Sequence, residues 1–186
     1  RPFRELFTRS HVVLPVVHVE SENQALRNAN IARESGCDGV FLINHGISAT
    51  RLLEICTSVY QAHADWWIGV NCLDLQPADT FRAVPQGVAG IWVDNAGIDE
   101  RARDQPYAEE VASARRQSGW QGLYFGGVAF KYQRQVAQLS EAAQIASRYM
   151  DVVTTSGPGT GQAAHRDKIA TMKRAIGDFP LGTVNK

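Results

Sequence analysis

The sequence predicts an α/β fold of the (β/α)8 TIM-barrel type, incomplete at its C-terminal end with about seven strands present. Three observations predict it. Short β-branched apolar runs alternate with helix-patterned segments, the runs are apolar at consecutive positions as in strands buried on both faces, and polar residues gather where each run ends. Six strand-loop-helix units and a seventh strand recur at about 28 residues, a pattern that calls for right-handed parallel crossovers, closed as a barrel or opened as a doubly wound sheet. The count favours the barrel. A complete barrel takes eight units and about 250 residues, so in this 186-residue sequence the end of the seventh strand and everything after it are expected to be missing. One domain over 1–186 is expected, since no linker-like or low-complexity tract divides the chain.

The first strand is read over 12–19, a β-branched run ending in His18, Val19 and Glu20. Ser21 then offers a capping hydroxyl with Gln24 three positions on, and Ala25, Leu26, Ala29, Ile31 and Ala32 recur at helical spacing until Gly36 stops them. The cycle restarts at 40–43, passes through Asn44-His45-Gly46, and enters a helix whose buried stripe is Leu52, Leu53, Ile55, Cys56 and Val59. A third strand over 67–73 closes on Asn71, Cys72 and Asp74, and the segment around 78–81 has room for little more than a helical turn. The fourth strand, 90–93, closes on Asp94 and Asn95, and a helix over about 107–117 follows. Gly126 and Gly127 within the fifth strand, 123–129, indicate a close backbone approach or a bulge. The sixth strand, 152–155, runs into Ser156-Gly157-Pro158-Gly159-Thr160-Gly161, and a helix over about 164–176 leads to a seventh strand at 180–184.

Composition narrows the functional classes. Lys plus Arg and Asp plus Glu both total 19, so no net charge steers the molecule toward nucleic acid or an anionic membrane. Cys37, Cys56 and Cys72 are odd in number and spaced unlike a zinc or redox motif, which fits a reducing, cytoplasmic setting. No apolar run approaches the roughly 18 to 20 residues of a membrane span. The chain opens at Arg1, which leaves a removed leader an open question.

In a barrel of this kind the loops at the C-terminal ends of the strands converge on the site. Strand by strand, those ends carry His18 and Glu20, Asn44 and His45, Asn71 and Asp74, Asp94 and Asn95, Lys131, and Thr155 with Ser156. Asp94 is the candidate proton-transfer group or sugar-hydroxyl anchor, because a carboxylate accepts two hydrogen bonds at once, and His18 and His45 are the other catalytic candidates. Glu20, Asn44, Asn71, Asn95, Lys131 and Thr155 are candidate substrate contacts. The competing reading is that strand ends are polar because turns begin there. No cofactor is predicted, although a divalent metal could be ligated by His18, His45 and Asp94 if they converge; no HxH or HExxH spacing marks such a site. Ser156, Gly157, Gly159, Thr160 and Gly161 form a candidate phosphate cradle, since glycines let backbone N–H groups turn toward an anion and a helix starts just beyond. The same glycines equally suit a tight strand-to-helix turn, and the GK[ST] ending of a P-loop is absent.

Four stretches taken together resemble the BtpA/SgcQ family of TIM-barrel proteins: residues 38–46 (DGVFLINHG), 67–71 (WIGVN), 90–94 (GIWVD) and 151–161 (DVVTTSGPGTG). The resemblance implies a barrel related to ribulose-phosphate-binding barrels, in a family whose members carry labels from photosystem I accumulation to sugar metabolism, phosphoribosyltransferase and nucleosidase. Family members look to have a Ser-Gly loop after strand seven and an eighth strand, where this chain reads Leu181-Gly182-Thr183-Val184-Asn185-Lys186 and stops. The expected function is therefore an enzyme or ligand-binding barrel for a phosphorylated sugar or nucleoside-like small molecule, as a transferase, hydrolase or isomerase. The alternatives are a non-enzymatic assembly or stability factor that binds a protein partner, and a metal-dependent hydrolase. Self-association into a homo-oligomer would cover exposed core edges.

Overall fold

The structure, a computed structural model, describes residues 3–184. A short helix α1 (Phe3–Leu6) precedes seven strands and six further helices in regular alternation: β1 (Val16–Val19), α2 (Glu22–Glu34), β2 (Gly39–Asn44), α3 (Ala49–Ala62), β3 (Trp67–Asn71), α4 (Pro77–Ala83), β4 (Gly90–Val93), α5 (Pro106–Ser118), β5 (Leu123–Gly127), α6 (Leu139–Ala146), β6 (Val152–Ser156), α7 (Arg166–Ile176) and β7 (Leu181–Val184). The strands follow one another in chain order, which is the order of a TIM-type barrel over seven of its strands. The residues group into two compact units, one running up to Trp92 with Ala114–Leu123 and the other comprising Val93–Ser113 with the chain from Tyr124 onward.

In the first unit β1, β2, β3 and β4 pair in parallel, in registers that include Val19 with Asn44, Ile43 with Asn71 and Val70 with Ile91. Every residue of β2 and β3 is buried, as a parallel strand covered on both faces requires. The glycines in β3 and β4 are packing features. The Trp67 indole lies across Gly69 and Gly90, where an added Cβ would come within 2.8 and 2.3 Å of the ring. Helix α2 starts as its sequence signature requires: the Ser21 hydroxyl accepts from the Gln24 amide, while the Gln24 side chain bridges the Glu20 amide and the His18 carbonyl. Gly36, at φ 81°, closes the helix in the left-handed region.

In the second unit β5, β6 and β7 pair in parallel, from Phe125 with Val152 to Ser156 with Val184. Gly127 is the close backbone approach anticipated in the fifth strand: a Cβ there would stand 1.9 Å from the Asp94 carbonyl oxygen. Helices α6 and α7 pack on each other.

Several boundaries differ from expectation. The first strand is confined to Val16–Val19, because Pro15 lacks an N–H for the ladder and the Val13 amide turns to the Asp38 carboxylate at 2.8 Å. The third and fifth strands end two residues early, at Asn71, after which a turn closes from the Cys72 carbonyl to the Leu75 amide, and at Gly127, after which Ala129 leaves the extended region at φ 50°. The segment around 78–81 is a seven-residue helix started by Pro77. Two helices escaped the pattern, α1 because it is a single turn and α6 because its buried face is the small set Ala142, Ala143 and Ala146 with no side-chain cap. Helix α7 begins at Arg166 rather than 164, behind a His165 cap, so four residues separate it from Gly161.

Candidate functional site

The first unit brings together candidates from three strand ends. His18, one residue short of the end of β1, is exposed between buried Val17 and Val19. Its ring stacks on that of His45, which follows β2, with centroids 4.6 Å apart and planes 11° from parallel. Stacking occupies the ring faces, so the ring-plane nitrogens keep their hydrogen-bonding directions. Glu20 is exposed, with its amide given to Gln24. Asn71 is buried at the end of β3.

Asn44 is 2 % exposed, and its amide is committed within the protein. Its nitrogen donates to the Ile47 carbonyl at 2.9 Å and to Asp74 Oδ1 at 2.7 Å, while its oxygen accepts from the Leu73 amide at 2.8 Å. Asp74 in turn accepts from the Ala49 amide at the start of α3. The Asn44 hydrogen bond holds the Asp74 carboxyl below its ordinary pKa, which keeps it ionised against the positive end of α3. The pair locks the loops after β2 and β3.

The second unit carries the remaining candidates. Asp94 follows β4, and its carbonyl accepts from Gln133 at 2.6 Å; Asn95 spends its side-chain oxygen on the Gly97 amide in a local turn. Beyond them Glu100, whose side chain is 1 % exposed, forms a two-pronged ion pair with Arg134. That pair holds Glu100 ionised below its ordinary pKa.

The loops after β5 and β6 are sewn together. The Lys131 amide donates to Ser156 Oγ at 2.7 Å, Thr155 Oγ1 donates to the Ala129 carbonyl at 3.2 Å, and the Tyr132 and Thr160 hydroxyls meet at 2.6 Å. The Thr160 amide also donates to the Tyr132 hydroxyl. These bonds hold two non-glycine residues at positive φ, Ala129 at 50° and Tyr132 at 61°, a strain that persists only where surrounding contacts over-determine it. Within the glycine loop, the side of Gly157 where a Cβ would project is filled by the Gln162 and Ala163 carbonyls, at 2.1 and 2.7 Å, and Gly161 supplies a left-handed turn at φ 76°. Gly159 is less crowded. Ser156 Oγ, besides accepting from Lys131, donates to the Gly157 carbonyl at 2.9 Å. The glycines thus make the turn, and the positive charge beside it comes from lysines.

Lys168 is the residue that sequence reasoning missed. From the first turn of α7 its ammonium reaches the Ala129 carbonyl at 2.5 Å and the Ser156 carbonyl at 2.7 Å, and burial lowers its pKa. A lysine in the first turn of a helix opposes the helix dipole, and that mismatch was the signal available in the sequence.

Among the described residues, no three His, Cys, Asp or Glu side chains come together in a group that could hold a metal ion. Of the expected divalent-metal trio, His18 and His45 belong to the first unit and Asp94 to the second. A cavity of about 480 Å³ lies at the opposite, N-terminal ends of the strands, lined in part by Asp38, Trp66, Trp67 and Ala89, and it includes none of the candidate residues. No helix among the described residues is long and apolar enough to cross a membrane.

No known family matches the sequence, and no curated protein does. Solved structures do match, at the level of fold. The 3,6-anhydro-D-galactonate cycloisomerase of Zobellia galactanivorans is 11 % identical with a TM-score of 0.61, over 93 % of this chain and 46 % of its own. The dipeptide epimerase of Enterococcus faecalis V583, determined with Mg and the dipeptide L-Leu-L-Tyr, is 12 % identical with a TM-score of 0.59, over 93 % and 46 %. A mandelate racemase-type protein of Bordetella bronchiseptica RB50, complexed with 2-oxoglutarate/phosphate, is 14 % identical with a TM-score of 0.59, over 94 % and 45 %. The chain spans less than half the length of these proteins, and the likeness establishes an α/β fold of TIM type.

These findings overturn the resemblance to the BtpA/SgcQ family: the structural neighbours belong to the enolase and mandelate racemase superfamily, and no family matches in sequence. The four stretches that carried the resemblance each lie on a strand and the turn leaving it. Buried parallel strands of any barrel favour the same apolar and glycine residues there.

Proposed function

We propose that the protein is a barrel of the (β/α)8 type that binds and transforms a small anionic molecule at the C-terminal ends of its strands, a phosphorylated sugar or nucleoside-like compound being the class expected from its residues. Within the second unit, Asp94 serves as proton-transfer group or hydroxyl anchor, and Lys131 with the Ser156–Gly161 loop faces the anion. One observation carries the reading: the strained, cross-tied loops after β5 and β6, with Ala129 and Tyr132 held at positive φ by neighbouring side chains. Backbone strain of this kind clusters at sites that must be pre-organised. Neighbours of the same fold hold a dipeptide, or 2-oxoglutarate and phosphate, which agrees with a small polar ligand.

The test is a thermal-shift screen of the full chain against phosphosugars, nucleosides, nucleotides and small carboxylates. A saturable rise in Tm with one class, lost in Asp94→Ala, supports the reading and supplies a substrate to assay. A panel in which no organic compound shifts the protein sets the small-molecule reading aside.

A further inference from the structure

Lys168 poses an electrostatic problem that the protein does not solve by itself. A half-buried ammonium gives up hydration, and an anion normally offsets that loss. The partners of Lys168 are two neutral carbonyls, those of Ala129 and Ser156, and among the described residues no carboxylate pairs with it. Its place in the first turn of α7 adds the unfavourable end of the helix dipole.

Lys131 also lacks an acidic partner among the described residues, and its ammonium lies over the Tyr132 ring at 5.8 Å. Arg134, three residues on, is matched by Glu100 and Asp99, so acids are supplied in this loop where the fold needs them. Lys168 reaches the Ser156 carbonyl with its ammonium, while Lys131 is tied to Ser156 Oγ through its backbone amide, so the two side chains spring from the same junction. Two residues back along β6, on the same face as Ser156, the Thr154 hydroxyl is 96 % buried by residue and has no hydrogen-bond partner among the described residues. The two loops thus carry two lysines with no carboxylate partner among the described residues, one of them with its ammonium on the Ser156 carbonyl.

We infer that Lys168 and Lys131 form an oxyanion subsite at Ser156, built for a doubly charged group of the phosphate type. This rests on the reading that the strand C-terminal ends hold a small molecule, and it names the charged end of that molecule and the residues that grip it. Lys168 is also a clamp on the strained carbonyl of Ala129, and the two roles make different demands. A clamp needs donors, whereas an anion subsite needs charge.

The experiment is calorimetric titration of the full chain with inorganic phosphate, at ionic strength held constant with chloride. Saturable binding is expected, weakened about tenfold or more in Lys168→Gln and in Lys131→Gln, and retained within a few-fold in Lys168→Arg. Unchanged phosphate affinity in folded Lys168→Gln, or heats that chloride reproduces, would overturn the inference. Where Lys168→Gln fails to fold, Lys131→Gln decides alone, because its ammonium bridges no backbone groups. An organic ligand that binds in an Asp94-dependent way but is neither displaced by phosphate nor weakened by the lysine substitutions sinks the subsite and leaves the proposed function standing. Lysine-dependent phosphate binding with no organic ligand does the reverse.

Discussion

Replacing Asn44 tests the loop-locking role assigned to it. In Asn44→Ala three hydrogen bonds disappear, at 2.7, 2.8 and 2.9 Å, from a side chain that is 2 % exposed. The Leu73 amide and the Ile47 carbonyl each lose a partner worth about 1 kcal/mol, and Asp74, exposed enough to be rehydrated, adds no more than about 1 kcal/mol. The expected loss is about 2 to 3 kcal/mol, which for a chain of this size lowers Tm by roughly 5 to 10 °C. Urea unfolding followed by tryptophan fluorescence measures it, and a loss below about 0.5 kcal/mol would refute the argument, since that is the scale of an ordinary surface change.

Asn44→Asp sharpens the test. It keeps an acceptor for Leu73 but sets a second carboxylate beside Asp74, where the amide donor stood at 2.7 Å. Two carboxylates in contact cannot both ionise cheaply, so one of them has a raised folded pKa and contributes stability that is present in acid and lost as pH rises through that value. The wild-type Asp74 has a lowered folded pKa, and its contribution runs the other way, lost as pH falls. Asn44→Asp should therefore be less stable than wild type at neutral pH and close the gap in mild acid. Equal stability at pH 7 would mean that Asp74 does not sense this side chain.

Three further outcomes follow from the same structure. Burial pushes the thiols of Cys56 and Cys72 up to about 12, so at pH 8 a thiol reagent should modify Cys37 well ahead of either, and rapid labelling of all three in the native protein would contradict the packing. Gly127→Ala drives a methyl group to 1.9 Å from the Asp94 carbonyl, a backbone atom that cannot step aside, and should cost several kcal/mol, about 3 or more, or abolish folding; Gly36→Ala, with open space around it, should cost only about 1 kcal/mol of backbone strain in the same urea assay. Glu100 is paired with Arg134 and has a lowered folded pKa, so its contribution is present above the ordinary value of 4.5 and fades as pH drops below it; Glu100→Gln should flatten that part of the acid-unfolding curve, and an unchanged curve would exclude the pair as its source.

The sequence by itself determined the alternation of strands and helices and the polar ends of the strands, because both are written in local patterns. Consecutive apolar residues at 40–43 and 67–70, too few for a helix between turn signals, read as strands covered on both faces, and Ser21 with Gln24 states a helix start in four letters. What depended on single atoms meeting across the fold was not legible. The sequence reading placed Asn44 and Ser156 among ligand contacts, but the hydrogen bonds of those two side chains close onto neighbouring loops, and a side chain's partners are set by where other strands end. Helix α6 stayed hidden because three alanines make a buried face too small to stand out until α7 packs on it. Lys168 lies 12 residues beyond Ser156 in sequence, and only the path of α7 back along the sheet brings its ammonium 2.7 Å from the Ser156 carbonyl. Local propensity fixes the elements, whereas the tertiary course of the chain decides which charges are left without a partner.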